Sequence, residues 1–411
     1  MKSLALFGGQ PVRTKPFPAW PRLTAELGKN VLHTLKNDRW GVGSRAVLDF
    51  EQAFARFQDA DYCISTGTGT AALWVALKAA GIKAGDEVIV PAYTFIATAS
   101  AVILANAVPV FVDIDPETLN LDPQLLEAAV TEKTRVIIPV HIGGNPAQLD
   151  QISAIAAKHD LIVLEDAAQA HGAEWKSRKV GAIGTGGIFS FQSSKNMTAG
   201  EGGAIVSDDQ RFIEACFSYH NCGRVRGKAW YQHDFLGGNF RLNAVAASML
   251  LTQLNTLEDD MALRDHNRAK LDEVLGQIPG LTTVIQYPET SRQSHHIYIL
   301  RYNQEEFNGI HREVFFKAMQ AEGIFTYGGY TPLYRERLFI TNTAEYPWLA
   351  DYDFGSITMP VTERIANQEA VWLKQNHLLG TEQDIQDIIA AFEKVTTTLK
   401  REPELFKELS V

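Results

Sequence analysis

The chain has 411 residues, of which 45% are hydrophobic and 21% are charged, and its formal net charge is −10. This length suffices for one large domain and a smaller one, and the acidic balance without a basic run argues against nucleic acid or an anionic membrane as a partner. No apolar run is long enough for a membrane span or a signal peptide, and three widely spaced cysteines indicate neither a disulfide framework nor a zinc site, so we expect a cytoplasmic protein that binds no metal.

The first elements are an arm and two helices. Residues 1–22 are rich in proline and glycine, a composition that predicts an extended arm rather than a helix. Thr24 is placed to cap a helix that runs to about Lys36. A glycine-rich turn at residues 40–44 precedes a second helix, residues 45–58, whose phenylalanines recur at helical spacing and are expected in the core.

A candidate phosphate site follows. A short strand that begins near Cys63 ends in Ser-Thr-Gly-Thr-Gly-Thr and opens an amphipathic helix. The N-terminus of a helix presents free backbone amides and the positive end of its dipole, which together suit a phosphate group. Gly69 and Thr70 would let the backbone approach such a group and would add a hydroxyl donor. Turns of glycine and threonine also begin helices that bind nothing, so both interpretations stay open at this point.

Strand and helix patterns alternate from Ile64 to Val206, which predicts an α/β fold with a mostly parallel sheet and crossover helices. One of the predicted strands, residues 135–141, ends in His141. This histidine could contact a substrate, but a buried structural histidine is an equally good interpretation.

A further apolar strand, residues 161–166, ends in the acids Glu165 and Asp166. In open α/β sheets, ligands lie outside the carboxyl ends of the strands. The position of Asp166 therefore predicts that it belongs to a functional site rather than to a solvated face.

Residues 189–206 predict two apolar strands joined by a polar turn that carries a single lysine, Lys195, and by a glycine-rich bend. Burial lowers the pKa of a lysine and makes its amine a good nucleophile and Schiff-base former. Taken alone, the pattern favours a solvated lysine in a hairpin loop. Together with Asp166, it meets the needs of pyridoxal 5′-phosphate (PLP), which takes a lysine for the Schiff base and an acid for the pyridine nitrogen.

The pattern changes after Val206. The sequence predicts a helix at residues 211–219, an irregular polar and aromatic loop, and a long alanine- and leucine-rich helix that ends near Leu257. No internal repeat is visible in this part or elsewhere in the sequence.

A smaller C-terminal domain is expected from about residue 265. It contains a predicted strand at residues 294–302, whose initial histidine pair could form a substrate wall or be structural, and an amphipathic last helix at residues 382–400. The predicted organisation is an arm (1–22), a large domain (23–264) and a small domain (265–411).

Two motifs carry a family resemblance. The sequence Asp-Ala-Ala-Gln-Ala-His-Gly from Asp166, and then Phe-Ser-Phe-Gln-Ser-Ser-Lys-Asn-Met-Thr-Ala-Gly-Glu-Gly-Gly-Ala from Phe189, resemble the DegT-type (DegT/DnrJ/StrS) sugar aminotransferases. These are PLP enzymes that place amino groups on keto sugars and cyclitols, and the resemblance covers nearly the whole chain. It implies fold type I of the PLP-dependent transferases, with a mostly parallel seven-stranded sheet in the large domain and a smaller α+β C-terminal domain.

The resemblance also implies roles around the cofactor. It places Phe95 flat against the cofactor ring and Gln169 beside the phenolic oxygen of that ring. Tyr330, in a Tyr-Gly-Gly-Tyr turn, is expected to face the substrate. The expected phosphate ligands are Gly69, Thr70, Ser190 and Asn239.

Asn239 is expected to act in a neighbouring subunit. In the family, the asparagine of a Gly-x-Asn-Tyr-Arg element reaches across a dimer interface to the phosphate of the other subunit's PLP. The matching segment here is Gly-Gly-Asn-Phe-Arg, so the hydroxyl of the family's tyrosine is absent at Phe240. The resemblance therefore implies a homodimer with a composite active site.

The implied reaction moves an amino group from L-glutamate or L-glutamine to a ketone carbon of a sugar or cyclitol. Lys195 would form the Schiff base with PLP and then move a proton as general acid and base, with ping-pong kinetics. Residues 17–21 and 372–380 are similar to segments of the scyllo-inosose aminotransferases and of the 3-amino-5-hydroxybenzoate synthases, which favours a cyclic ketone over a nucleotide-linked sugar.

Three alternatives accompany this hypothesis. A synthase of the 3-amino-5-hydroxybenzoate type would aminate or aromatise a cyclic keto acid. PLP-dependent sugar dehydratases carry histidine where the aminotransferases carry lysine, so Lys195 favours transamination. A non-catalytic regulator with this fold would need a DNA-binding appendage or the loss of Lys195, and the sequence shows neither.

Overall fold

The computed structural model describes residues 3–341, 345–407 and 409. Its helices are α1 (Ala25–Asn37), α2 (Arg45–Phe57), α3 (Gly69–Ala79), α4 (Ala97–Leu104), α5 (Pro123–Leu126), α6 (Leu149–Lys158), α7 (Gln210–His220), α8 (Ala244–Leu254), α9 (Leu257–Leu275), α10 (Arg312–Ala321), α11 (Arg337–Thr341), α12 (Pro360–Arg364) and α13 (Glu382–Arg401). Its strands are β1 (Tyr62–Thr66), β2 (Glu87–Pro91), β3 (Val108–Val112), β4 (Thr134–Ile137), β5 (Ile162–Asp166), β6 (Glu174–Trp175), β7 (Arg178–Lys179), β8 (Gly186–Ser190), β9 (Gly203–Ser207), β10 (Leu281–Thr283), β11 (Thr290–Arg292), β12 (Ile297–Tyr302) and β13 (Ala370–Lys374).

The largest sheet of the described residues has seven strands in the order β1-β9-β8-β5-β4-β2-β3. The pairs β3–β2, β2–β4, β4–β5 and β5–β8 are parallel, whereas β9 is antiparallel to both β8 and β1. The predicted mostly parallel seven-stranded sheet is therefore confirmed. Its antiparallel strand follows the loop that carries Lys195, because there the chain turns directly back instead of crossing over through a helix.

Both faces of this sheet are covered by helices. Neighbouring residues on β8 show the two sides, since Ile188 packs into one hydrophobic cluster with α3, α4 and α7, and Phe189 packs into another with α2 and α8. Strands that are buried on both faces need continuous apolar runs. This is why β2, β8 and β9 appear in the sequence as unbroken runs rather than as alternating patterns.

The C-terminal part has its own sheet and core. Strands β10, β12 and β13 form an antiparallel sheet, and α10 and α13 pack with it around a separate hydrophobic cluster. The expected last helix is present as α13, which begins with a capping box between Thr381 and Asp384. The expected domain boundary between residues 264 and 265 falls inside α9 and stays a prediction.

Three expected element bounds differ from the structure. The long helix expected to end near Leu257 instead ends at Leu254, and α9 begins at Leu257 with three acids in its first turn, which the helix dipole favours. Strand β4 ends at Ile137, and β12 begins at Ile297, after the histidine pair. In each case the pattern in the sequence is longer than the regular element, and after Ile137 single backbone hydrogen bonds still join the chain to β2 and β5.

The N-terminal arm is anchored on the C-terminal part. The backbone amides of Ala5 and Val12 donate to the buried carboxylate of Glu322 at 2.8 and 3.0 Å, and Lys394 Nζ donates to the same group at 2.8 Å. From there the chain runs towards the loop that carries Lys195. Among the described residues, no helix combines the length and apolarity needed to cross a membrane.

Candidate active site

A cavity of about 610 Å³ opens at the carboxyl edge of the central sheet. Asp166 ends β5 and Ser190 ends β8, and both line this cavity together with the N-terminus of α3. The parallel order of the sheet places these ends side by side, as expected for a ligand site in an open α/β fold.

Lys195 lies in the loop between β8 and β9 and lines the cavity. Its backbone amide donates to the carbonyl of Gln192 at 2.9 Å, which closes a tight turn. The removal of its ammonium from water lowers the pKa of Lys195 to about 8, although the charge of Asp166 acts in the opposite direction. A substantial fraction of this amine is therefore neutral near physiological pH.

Asp166 is held in place by two donors. The hydroxyl of Thr98 donates to Oδ2 at 2.8 Å and the backbone amide of Ala168 donates to Oδ1 at 3.2 Å. Burial raises the pKa of Asp166, while these two bonds and the nearby Lys195 oppose that rise. The carboxyl group is thus fixed in orientation. Burial makes its charged form unfavourable, and a cationic partner in the cavity would stabilise that form.

The N-terminus of α3 approaches the end of β8 closely. Thr68 caps the helix by accepting from the amide of Ala71 at 3.1 Å. A Cβ at Gly69 would lie 2.8 Å from the Cβ of Ser190, so only glycine fits there without movement. The first-turn amides, Thr70 and the Ser190 hydroxyl together form a cradle of the kind that binds phosphate.

One wall of the cavity is aromatic. Phe95 is 54% exposed although it follows a buried strand, and its ring lies 6.1 Å from that of Tyr330. Gln169 donates to the Tyr330 hydroxyl at 3.1 Å and accepts from the amide of Gly143 at 2.8 Å. The ring of Tyr330 packs edge-on against Trp372 at 4.9 Å. An exposed ring beside hydrogen-bonding groups suits a flat, polar ligand.

The structure places His141 outside the cavity. The residue is fully buried, its Nδ1 accepts from the amide of Ala147 at 3.0 Å, and its Nε2 lies 3.1 Å from Glu165. Of the two interpretations of His141, the structure favours the buried structural histidine over a substrate contact. The reason is that residues 138–141 continue alongside β5, where Val140 pairs with Asp166, and this places the His141 ring beside the buried Glu165.

Asn239 also lies apart from the cavity of its own chain. It is exposed, and its backbone pairs with that of Asn221. All other residues expected at the site line one cavity. They are Gly69, Thr70, Phe95, Asp166, Gln169, Ser190, Lys195 and Tyr330.

One site residue was not expected from the sequence. Thr98, which fixes Asp166, was missed, although its place at the start of the helix after Phe95 was a usable signal. Of the histidine pair considered for a substrate wall, His296 lines the cavity, and burial holds the pKa of this histidine well below its usual range. Within the described part of the chain, no cluster of His, Cys, Asp and Glu could hold a metal ion.

Comparisons with known proteins show the family of the chain. The model of the DegT/DnrJ/EryC1/StrS aminotransferase family matches residues 21–393. A Streptoalloteichus tenebrarius protein with the provisional name L-glutamine:3-amino-2,3-dideoxy-scyllo-inosose aminotransferase is 39% identical over 405 residues, which are 95% of this chain and 97% of that protein. The L-glutamine:2-deoxy-scyllo-inosose aminotransferase of Micromonospora echinospora is 37% identical over 413 residues, 96% and 98% of the two chains.

A solved structure is also similar. The crystal structure of 3-amino-5-hydroxybenzoic acid synthase superposes with a TM-score of 0.85 at 34% identity, and the match covers 94% of this chain and 100% of that chain.

Proteins of this family are PLP-dependent, and the cavity fits the cofactor. It offers a lysine amine of lowered pKa and a buried carboxylate for the ring nitrogen. It also offers the cradle that a side chain at Gly69 would fill and the exposed ring of Phe95. The lysine and the carboxylate suit the aldehyde and the ring nitrogen of PLP, the cradle suits its phosphate, and the Phe95 ring suits a face of its pyridine ring.

Proposed function

Because the chain belongs to the DegT/DnrJ/EryC1/StrS aminotransferase family and is a PLP-dependent aminotransferase, we propose that it moves the amino group of L-glutamine or L-glutamate to the ketone carbon of a cyclitol of the scyllo-inosose type. The observation that carries the proposal is the meeting of Lys195 and Asp166 in one cavity with the open N-terminus of α3. The product would be an aminocyclitol.

Lys195 has two tasks in this proposal. It would hold the cofactor through Nζ in the resting protein, and its amine would become available for proton transfer once the amino donor is bound. When bound, PLP supplies an electron-poor ring that withdraws charge from the reacting carbon. The freed amine would then take a proton from one carbon of the reacting unit and return it to the other, and burial, which lowers the pKa of Lys195 in the PLP-free protein, favours its neutral form.

Asp166 and Gln169 would both orient the cofactor. Asp166 would hold a proton on the pyridine nitrogen, and its two hydrogen bonds from Thr98 and Ala168 keep the carboxylate aimed at one point. Gln169 would reach the phenolic oxygen with the amide that now bonds Tyr330. Gly69, Thr70 and Ser190 would take the phosphate.

The acceptor is inferred from the wall of the cavity and from relatives. Tyr327, Tyr330, His296 and Gln169 offer uncharged hydrogen-bonding groups, which suit the hydroxyls of a cyclitol ring. Two relatives at 39% and 37% identity have names with scyllo-inosose derivatives as acceptors. A 3-amino-5-hydroxybenzoate synthase activity is the second candidate, and the 34% identity to that solved structure is the observation in its favour.

We further propose that the active protein is a homodimer in the cytoplasm. Asn239 is exposed and lies outside its own cavity, which is the position required of a residue that serves the neighbouring subunit's phosphate. The side chains Trp230, Tyr231 and Leu236 near it are 73%, 77% and 93% exposed, an apolar surface that a second subunit would cover. The three cysteines are unpaired, as a reducing compartment requires.

The first test is the absorbance of the protein with PLP, before and after L-glutamine or L-glutamate. We expect a band near about 420 nm that moves to about 330 nm with the donor, and no such band in Lys195→Ala. No visible band after addition of PLP would overturn the proposal. A stable band that ignores both donors would overturn the donor assignment alone.

The second test identifies the acceptor. Protein converted by L-glutamine is offered scyllo-inosose, 2-deoxy-scyllo-inosose, 3-amino-2,3-dideoxy-scyllo-inosose and a nucleotide-linked keto sugar, and the return of the visible band is followed. Mass spectrometry of the product gives the aminated compound. Return of the band with the nucleotide-linked sugar alone would contradict the cyclitol assignment.

A further inference from the structure

The N-terminal arm reaches the backbone of the catalytic lysine. The indole Nε1 of Trp20 donates a hydrogen bond to the carbonyl oxygen of Lys195 at 3.0 Å, across 175 positions of sequence. The amide of Lys195 is bonded at 2.9 Å to the carbonyl of Gln192. The two bonds therefore fix the peptide groups on both sides of the Lys195 Cα, from which its side chain extends into the cavity.

The indole is itself held in orientation. Its ring lies near two guanidinium groups, those of Arg22 at 5.4 Å and Arg264 at 5.8 Å from the ring centroid. Arg264 is fully buried, and Gln375 Oε1 accepts from its Nη2 at 2.6 Å. Contacts of this kind between a cation and an indole face restrict the ring to one plane.

The arm is seated on the C-terminal part on both sides of Trp20. Asn376 Nδ2 donates to the carbonyl of Pro18 at 2.9 Å, and Arg22 forms an ion pair with Asp260. Asn376 follows β13, the strand that also supplies Trp372 to the cavity wall. The arm thus connects the C-terminal sheet to the loop of the lysine.

Trp20 stands beside the active-site cavity without lining it. It borders an adjoining chamber of about 280 Å³, which shares Ser194, His296 and Tyr327 with the main cavity. Its effect on the reaction must therefore pass through the Lys195 backbone and not through contact with the main cavity's contents.

We propose that Trp20 is a positioning residue for Lys195, and that its indole N–H keeps the lysine Nζ within reach of both of its tasks. The inference rests on the proposed function of Lys195. A lysine that is bonded in one stage and free in another has no fixed partner for its ammonium, so the backbone sets where its amine returns. A displacement of a catalytic group by about 1 Å can lower a rate by about 10²-fold.

The test is Trp20→Phe, which keeps an aromatic ring near both guanidinium groups but removes the donor. We expect kcat with L-glutamine to fall about 10-fold while KM for the donor stays within about twofold. The dissociation constant of PLP, measured by absorbance titration of the PLP-free protein, should rise about 3- to 10-fold.

The matched control is Trp74→Phe. Trp74 Nε1 also donates to a backbone carbonyl, that of Leu104 at 3.1 Å, and does not line the cavity. Both variants lose one indole hydrogen bond and should show similar thermal unfolding, but Trp74→Phe should keep the wild-type kcat and PLP affinity. If Trp20→Phe does not fold, Asn376→Ala removes the bond that seats the arm and should shift PLP affinity in the same direction.

Two results would overturn the inference. One is an unchanged kcat and PLP affinity in folded Trp20→Phe. The other is a loss of the same size in Trp74→Phe, which would make the effect one of general stability. Failure of the wild-type protein to react with any donor would instead reject the proposed function, so the two failures are distinguishable.

Discussion

Gly69 and Ser190 lie so close together that a Cβ built on Gly69 would stand 2.8 Å from the Cβ of Ser190. The first is the N-terminal residue of α3 and the second is the last residue of β8. Their contact seats the helix N-terminus on the strand end and leaves the first-turn amides open to the cavity. A side chain at position 69 would push these two elements apart.

Gly69→Ala should therefore weaken PLP binding. We expect the dissociation constant of PLP to rise about 10- to 100-fold, because overpacking at a tight contact costs about 1–3 kcal/mol. The measurement is absorbance titration of the PLP-free protein. Gly28→Ala is the control, since a Cβ there meets nothing within 4 Å and alanine favours helix α1. An unchanged affinity in Gly69→Ala would contradict the proposed cradle.

Removal of the lysine charge should stabilise the PLP-free protein at neutral pH. Burial lowers the pKa of Lys195 from 10.5 to about 8. Between pH 8 and 10.5 the lysine is therefore protonated to a larger extent in the unfolded chain than in the folded protein. The free energy of unfolding rises with pH in this range, because the cost of burying the charged lysine disappears. Lys195→Met should raise the free energy of unfolding by about 1–3 kcal/mol at pH 7, and by less as the pH approaches 10.

Urea unfolding at several pH values checks this expectation. The control is Lys29→Met, at an exposed position of α1, which should show little difference from the wild type at any pH. A stability gain in Lys195→Met that does not shrink with pH would show that packing, and not the charge, is responsible.

Asp166→Asn should separate activity from stability. The amide is neutral and cannot hold the ring-nitrogen proton, so the rate of a single turnover with L-glutamine should fall about 10³-fold. Burial raises the pKa of Asp166, so its charge opposes folding, and the PLP-free variant should be at least as stable as the wild type. Thr98→Val removes one donor to the carboxylate and should cause a smaller loss, about 10-fold.

His141→Ala should act on stability alone. Its loss leaves the buried carboxylate of Glu165 without one partner, a change that costs about 3–5 kcal/mol. The kcat of the remaining folded protein at low temperature should stay within about threefold of the wild type, because His141 lies outside the cavity. His33→Ala, at an exposed position, is the control for unfolding. A large fall in kcat without a fall in stability would restore His141 as a substrate contact.

Mixing two inactive variants tests the composite site. Lys195→Ala and Asn239→Ala are each expected to lose most activity as homodimers. In a mixed dimer one site combines an intact Lys195 with an intact Asn239 from the other subunit, so random exchange should restore about a quarter of the wild-type activity. Recovery near zero after demonstrated subunit exchange would place Asn239 in its own subunit's site, and full activity of the Asn239→Ala homodimer would place it outside both sites.

The sequence allowed the chemistry to be predicted where it depends on strand ends. Lys195 and Asp166 each follow an unbroken apolar run, and the parallel order of the sheet brings such ends to one edge. That Lys195 and Asp166 lie close together could therefore be predicted from the order of the strands, without knowledge of side-chain packing. The family resemblance then supplied Phe95, Gln169 and Ser190, which have no local pattern that marks them as site residues.

The same reasoning gave no means of choosing between the two interpretations of His141, and it missed Trp20. His141 also follows an apolar run, but β4 stops four residues earlier and the backbone amide of His141 pairs with the carbonyl of Asp166 at 3.2 Å. The direction in which the His141 side chain then faces depends on the neighbouring strand β5, and the sequence of one segment does not show it. The bond from Trp20 to Lys195 joins distant parts of the chain, and no periodicity in either part announces it.

The antiparallel strand β9 has a consequence for the order of synthesis and folding. Tyr62 pairs with Ser207 and Thr66 with Gly203, so β1 finds its only neighbour in the described sheet after every other strand of that sheet has been made. The lysine loop lies just before this last strand. During synthesis β1 therefore stays without its partner until β9 has been made, and the lysine loop is closed at the same step.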